Sequence, residues 1–178
     1  MEGKITSAEG RVKRVPYDDR VARIQEEWRR ECPDLDVSPQ GVFGRLHRLA
    51  DLLREELVVV YREHGLGEGE FDVLAALRRA GAPYERAPGD LAQHTMVTTG
   101  AMTKRVDRLV EAGLVTRRRS DQDGRGRVVA LTPAGLDVID RAITAHMANE
   151  HRLLQPLTLE EQRQLEGLLA KWLGAHGG

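Results

Sequence analysis

Between residues 114 and 131 two short strand-like runs, Leu114-Val115-Thr116 and Val128-Val129-Ala130-Leu131, flank Arg117 to Arg127. The centre of that intervening stretch, Asp121-Gln122-Asp123-Gly124-Arg125-Gly126, is turn chemistry, so the whole reads as a β-hairpin with a long, basic tip. The residues just before it read as helices. A short one opens at Asp90 and runs from Leu91 to about His94. After a turn, Thr98 or Thr99 is the expected N-cap of a second, with Met102, Val106, Leu109 and Val110 inward and Gly113 at its end. Two short helices in tandem followed by a basic hairpin form the pattern of a winged helix-turn-helix.

The rest of the chain is expected to be helical. Residues 1–17 are polar and read as an arm. Val21, Ile24, Trp28 and Cys32 recur at helical spacing behind Asp18 and Asp19, and Pro33 ends that helix. Val42, Phe43, Leu46, Leu49, Leu53, Leu57 and Val60 mark a longer amphipathic helix over about 41–64 that ends near Gly65. Glu68 to Ala80 is a third helix, with Phe71, Leu74 and Leu77 inward and Gly81 closing it. Thr132-Pro133 starts a helix through Leu136, Ile139, Ile143 and Met147 to about Leu154, and Thr158 with Glu161 has capping-box form before a last helix to about residue 173. The expected fold is mainly α with a small β-wing. With 178 residues, one domain over 18–178 is expected, holding helices 41–64 and 133–173 for dimerisation and a DNA-binding lobe at 68–131.

Charge narrows the function. The whole chain carries a net charge of −1, so bulk charge does not hold it to nucleic acid. Leu91 to Leu131, however, carries eight basic residues against four acidic ones, which puts positive charge where a reading helix and a wing would meet phosphates. On a helical wheel with Met102 inward, Thr99, Thr103, Lys104 and Arg108 are candidates for DNA contact, and Arg105 is positioned to turn inward. The same outward charges would also suit a plain solvated face.

Other classes find little support. No P-loop, G-x-S-x-G, H-E-x-x-H or glycine-rich dinucleotide turn is present in the sequence, so an enzyme is not expected. His146 and His151 are five residues apart, poorly placed for one metal, and no metal or cofactor is expected. The single cysteine, Cys32, has no cysteine partner and is a weak candidate for an oxidation sensor. No apolar run is long enough to span a membrane, and the N-terminus lacks the apolar core of a signal peptide, so the cytoplasm is the expected compartment. A helical module whose wing binds protein is a second alternative.

The sequence resembles the MarR (multiple antibiotic resistance regulator) family. The resemblance is carried by Pro88-Gly-Asp-Leu-Ala-Gln93, by Thr98-Thr-Gly-Ala-Met-Thr-Lys-Arg-Val-Asp-Arg-Leu-Val-Glu-Ala-Gly-Leu-Val115, by the wing Arg117 to Arg127, and by Val129-Ala-Leu-Thr-Pro-Ala-Gly135. It implies a homodimer that presents two winged helices to a pseudopalindromic operator, as a repressor relieved by a small ligand. By the same resemblance Thr98, Thr99, Thr103, Lys104, Arg108, Arg118, Arg119, Arg125 and Arg127 are expected at the DNA, with Asp123 supporting the wing tip.

The added N-terminal helix resembles the urate-responsive branch of that family, in which such a helix supplies a tryptophan to the ligand pocket. That resemblance makes Trp28, Asp72 and Arg105 candidate ligand residues, with Asp90 as a further acidic group. An aromatic plane stacks on a purine, a guanidinium pairs with an anionic ring, and a carboxylate accepts ring N–H bonds. An anion that draws Arg105 inward would shift the reading helix and so couple occupancy to DNA affinity. Each residue also has a plainer role: Trp28 as an anchor for its helix, Asp72 as a complement to a helix N-terminus, Arg105 as a phosphate contact. Phenolic or aromatic carboxylate ligands, or antibiotics, are the alternative effectors.

Overall fold

The computed structural model describes residues 18–95, 99–119 and 127–177. The chain divides into two compact units, Met1–Leu52 and Leu53–Gly178.

In the first unit, helix α1 spans Arg20–Glu31 and helix α2, Gln40–Glu63, begins. Asp19 caps α1 by accepting a bond from the Ala22 amide at 2.8 Å, and the same carboxylate accepts from Arg45 Nε of α2 at 2.8 Å. Val21 is buried against Gly44, where a Cβ would stand only 2.9 Å from Val21 Cγ1. The inner face of α1 differs from the expected one. It is formed by Val21 and Gln25, whose Nε2 donates to the Val37 carbonyl at 2.8 Å, whereas Trp28 is 46% exposed. A glutamine can be buried here because the loop after α1 supplies its acceptor.

The second unit continues with α3 (Glu68–Arg79), β1 (Glu85–Arg86), α4 (Pro88–His94), α5 (Thr99–Glu111), β2 (Val115–Arg119), β3 (Arg127–Leu131), α6 (Pro133–Leu154) and α7 (Leu159–Gly174). Helix α4 starts at Pro88 and not at Asp90, since proline is well suited to a first helical position where no N–H partner is needed. The two hairpin strands are longer than expected and pair antiparallel from Val115 opposite Leu131 to Arg119 opposite Arg127. Arg117, Arg118 and Arg119 are therefore strand residues. The third strand was not legible in the sequence. Two charged residues, Glu85 and Arg86, pair with Ala130 and Val129 and complete an antiparallel sheet in the order β1-β3-β2. Thr98, Asp123 and Arg125 lie outside the described residues.

Helix α3 is the centre of this unit. Phe71 and the unbroken run Val73 to Leu77 are buried, so apolar side chains leave the helix in nearly every direction and other elements must surround it. Met102, Val106 and Leu109 of α5, Leu91 of α4, Val115 and Val129 of the sheet, and Ile139 and Ala142 of α6 meet it in one core. Val110, expected inward, is 38% exposed; the buried stripe of α5 is the narrower Met102, Val106, Leu109. Met147 of α6 is likewise exposed, as are Leu165, Leu168 and Leu169 of α7. Among the described residues, no helix is long and apolar enough to cross a membrane.

The junction of α5, β2 and α6 is a tight corner. The Thr132 hydroxyl accepts from the Gly135 amide at 3.0 Å and donates to the Gly113 carbonyl at 2.8 Å, while the Thr132 amide donates to the Leu114 carbonyl at 3.0 Å. Gly113 turns the chain with a φ of 71°, a conformation glycine adopts without steric cost. A Cβ on Gly135 would stand 1.9 Å from the Leu114 carbonyl oxygen. Since that neighbour is backbone, Gly135→Ala should lower unfolding stability by about 1–3 kcal/mol, measured by urea denaturation. A variant as stable as wild type would show that this corner is not closely packed.

Candidate nucleic-acid interface and anion site

The amphipathic pattern of α5 fixes what it offers outward. With Met102, Val106 and Leu109 in the core, Thr103, Lys104 and Arg108 stand exposed on its other side, and Thr99 is its first residue. The sheet adds Arg119 and Arg127, both exposed and directly opposite each other at the loop end of the hairpin. These five residues and Thr99 belong to one unit and to three elements, α5, β2 and β3.

Several arginines of this face are held by carboxylates. Arg108 Nη1 donates to Glu70 Oε1 of α3 at 3.1 Å. Arg118, expected at the DNA, is half-buried and pairs with Glu85 across the sheet. Arg117 of β2 donates to Asp107 of α5 at 2.5 Å and to the Thr103 carbonyl at 3.4 Å. It thereby ties the wing to the helix. Sequence reasoning counted Arg117 only as charge; the signal that could have found its role is Asp107, an acidic residue among the cations of α5.

On the inner flank of α5 the structure brings Arg105 and Asp72 together. Arg105 Nη1 lies 3.5 Å from Asp72 Oδ2, with the arginine side chain 25% exposed. That nitrogen is buried and has no hydrogen-bond acceptor among the described residues. A buried guanidinium N–H facing a carboxylate that it does not quite reach leaves room in its chemistry for a further acceptor. Asp90 is exposed in the first turn of α4, where a carboxylate complements the helix N-terminus. Trp28 belongs to the other unit, on α1.

Behind Asp72 lies a polar cluster that the sequence did not reveal. The ring of buried Tyr61 stacks on Phe71 with centroids 4.1 Å apart, and its Oη is 3.3 Å from Nδ1 of buried His146. His146 Nε2 is in turn 3.2 Å from Glu150. Burial, followed by the charges of Asp72, Glu150 and Glu68, pushes the Tyr61 phenol up to about 12. In the sequence Tyr61 is one member of an apolar helix stripe, and nothing local joins it to a residue 85 positions away. Among the described residues no group of three His, Cys, Asp or Glu side chains is arranged to hold a metal ion.

A lobe of helices α3, α4 and basic α5, followed by the hairpin wing β2–β3, defines a winged helix-turn-helix transcriptional regulator. The comparisons agree on which. A sequence model of the MarR family matches residues 64–126. The HTH-type transcriptional regulator PecS of Dickeya dadantii is 38% identical over 151 residues, covering 85% of this chain and 91% of the relative. The multiple antibiotic resistance protein MarR of Salmonella typhimurium is 34% identical over 133 residues, covering 74% and 90%. Among solved structures, a mutant of MarR from E. coli complexed with operator DNA is similar with a TM-score of 0.65 at 28% identity, covering 82% of this chain and 97% of its own. The chain belongs to the MarR family. Its relatives are transcriptional regulators, and it is a regulator and not an enzyme.

Burial raises the Asp72 carboxyl above its ordinary 3.8, and the Arg105 charge opposes that rise. Because folding favours the neutral acid, this contribution to stability is fully present below 3.8 and is lost as pH rises through the folded value. Removing the opposing cation moves the carboxyl further up. In a carbon NMR titration, Asp72 should titrate above 3.8 in wild type and higher still in Arg105→Ala. A midpoint that falls or stays fixed on that substitution would mean Arg105 does not act on Asp72.

Proposed function

We propose that the protein is a homodimeric repressor that occupies a pseudopalindromic operator and is released by urate or a related purine. The observation that carries the effector reading is Arg105: a cation on the reading helix, turned inward, with a buried Nη1 that lacks an acceptor beside the raised carboxyl of Asp72. An anionic, nitrogen-rich ring satisfies both groups at once, accepting from the guanidinium and donating to the carboxylate. Occupancy then pulls on α5, and reduced operator affinity follows by linkage. Trp28 enters as the stacking partner through the family resemblance, and Asp90 as a further acidic group.

DNA recognition is assigned to Thr98, Thr99, Thr103, Lys104 and Arg108 in the major groove and to Arg118, Arg119, Arg125 and Arg127 on the wing, with Asp123 supporting its tip. The complex of the related E. coli MarR mutant with operator DNA supports this use of the lobe, as do relatives described as repressors. The dimer is supported by apolar side chains left uncovered in each unit. Val42, Phe43 and Leu49 are exposed on α2, and Leu159, Leu168 and Leu173 on α7, more than a monomer surface needs.

One observation favours a second effector class. A cavity of about 270 Å³ lies between α5 and the wing, with Met102, Val106 and Val129 as its apolar lining and Thr103, Arg117 and Arg127 as polar groups. A small aromatic carboxylate has that chemistry.

Titration with urate, with xanthine and salicylate as controls, should quench tryptophan fluorescence saturably, and Trp28→Phe should abolish the change. Salicylate quenching that survives Trp28→Phe would place the effector site away from Trp28. In parallel, Arg105→Ala should weaken the urate response while keeping most of the affinity for DNA. Lys104→Ala or Arg127→Ala should weaken DNA binding itself and flatten its salt dependence by about one unit in log–log slope. Equal losses of DNA affinity for all three would return Arg105 to the phosphate contacts.

A further inference from the structure

Gly69 is the second residue of α3, and nothing in its own backbone calls for glycine. It is helical, and it is not among the described residues with positive φ. A glycine inside a helix weakens it relative to alanine, so its presence asks for another reason. The reason is spatial. A Cβ built on Gly69 would stand 2.4 Å from Arg105 Nε, 2.6 Å from Cζ and 2.9 Å from Cδ. The guanidinium of Arg105 lies against the bare backbone of α3, in the place a side chain would take. By contrast, a Cβ on the helical residues Gly89, Gly100 or Gly167 would meet nothing within 4 Å.

We infer that Gly69 is a positioning residue whose missing side chain is the slot that holds Arg105 inward beside Asp72 and away from the DNA-facing cations Lys104 and Arg108. The inference deepens the reading of Arg105 and Asp72 as the effector site and rests on that reading for its ligand arm only. The atoms that would clash belong to a long, rotatable side chain. A methyl group at position 69 therefore leaves α3 in place and drives the guanidinium out of the slot. Lys104 and Arg108 are exposed on α5 beside it, and the displaced guanidinium is inferred to move to that flank. Once there, Arg105 adds a cation to the basic face. The same displacement takes from Asp72 the charge that opposes its burial. Gly69 thus sets a choice between two uses of one arginine, effector ligand or phosphate contact.

The test uses the full-length protein, Gly69→Ala, Arg105→Ala and the double variant. Each is bound to a random-sequence duplex over a sodium chloride series and titrated with urate by fluorescence. Gly69→Ala should melt no lower than wild type, since alanine favours the helix. Its DNA affinity should fall more steeply with salt, by about one unit of log–log slope, and its urate half-saturation should weaken by about tenfold or more. In the Arg105→Ala background the same glycine substitution should change neither quantity. An unchanged salt slope in Gly69→Ala overturns the inference, because Arg105 has then not been released. So does any effect of Gly69→Ala, a lowered melting point included, that persists without Arg105, because it then belongs to the packing of α3. If wild type ignores urate while the salt arm behaves as expected, the effector reading falls and the positioning role of Gly69 stands.

Discussion

Everything in the DNA-binding lobe depends on one helix that is apolar on nearly all sides. The buried run Val73 to Leu77 with Phe71 leaves the middle of α3 almost no face it can give to water. The hydrophobic effect therefore collects α4, α5, α6 and the small sheet around it. Burying a side chain such as Leu74 or Leu77 stabilises by roughly 1.5–3 kcal/mol, several times the worth of any surface ion pair in the lobe. Packing around α3 sets where α5 and the wing stand, and the polar contacts then fix details of their seating.

Those contacts share a pattern. Four charged side chains of α3 are met by an opposite charge from another element: Glu68 by Arg54 of α2, Glu70 by Arg108 of α5, Asp72 by Arg105 of α5, and Arg78 by Asp140 of α6. They differ in what they allow. Arg108 is 69% exposed in its pair with Glu70, so its guanidinium stays within reach of water and of a phosphate while the pair holds. The pair of Arg105 with Asp72 is less open to water, and its guanidinium is incompletely satisfied. A contact that is neither free nor saturated is one that a bound anion can change, and it sits on the helix proposed to read DNA.

Much of this was legible in the sequence because the signals are local. The caps Asp19, Thr132 and Thr158 and the closing glycines Gly65, Gly81 and Gly113 stand where their neighbours predict, since a cap is satisfied within a few residues. The inward turn of Arg105 followed from helical spacing. The misses have a common cause. Strand β1 is two charged residues long and exists only because β3 offers it an unpaired edge. The buried face of α1 shifted to Gln25 because a distant carbonyl, that of Val37, was available to it. The link of Tyr61 to His146, and the carboxylates that hold Arg108, Arg117 and Arg118, join residues far apart in the chain.

The sequence by itself determined the helices, their ends, the inward stripe of α5 and the family resemblance, because period, capping and turn chemistry act over a single turn or hairpin. Only the tertiary structure decided which charges meet and which glycine serves a contact in place of a turn. Gly113 can be recognised from its position after a helix, but Gly69 cannot. Its role comes from a guanidinium thirty-six residues further on that lies where its side chain would be, and no local rule carries that distance.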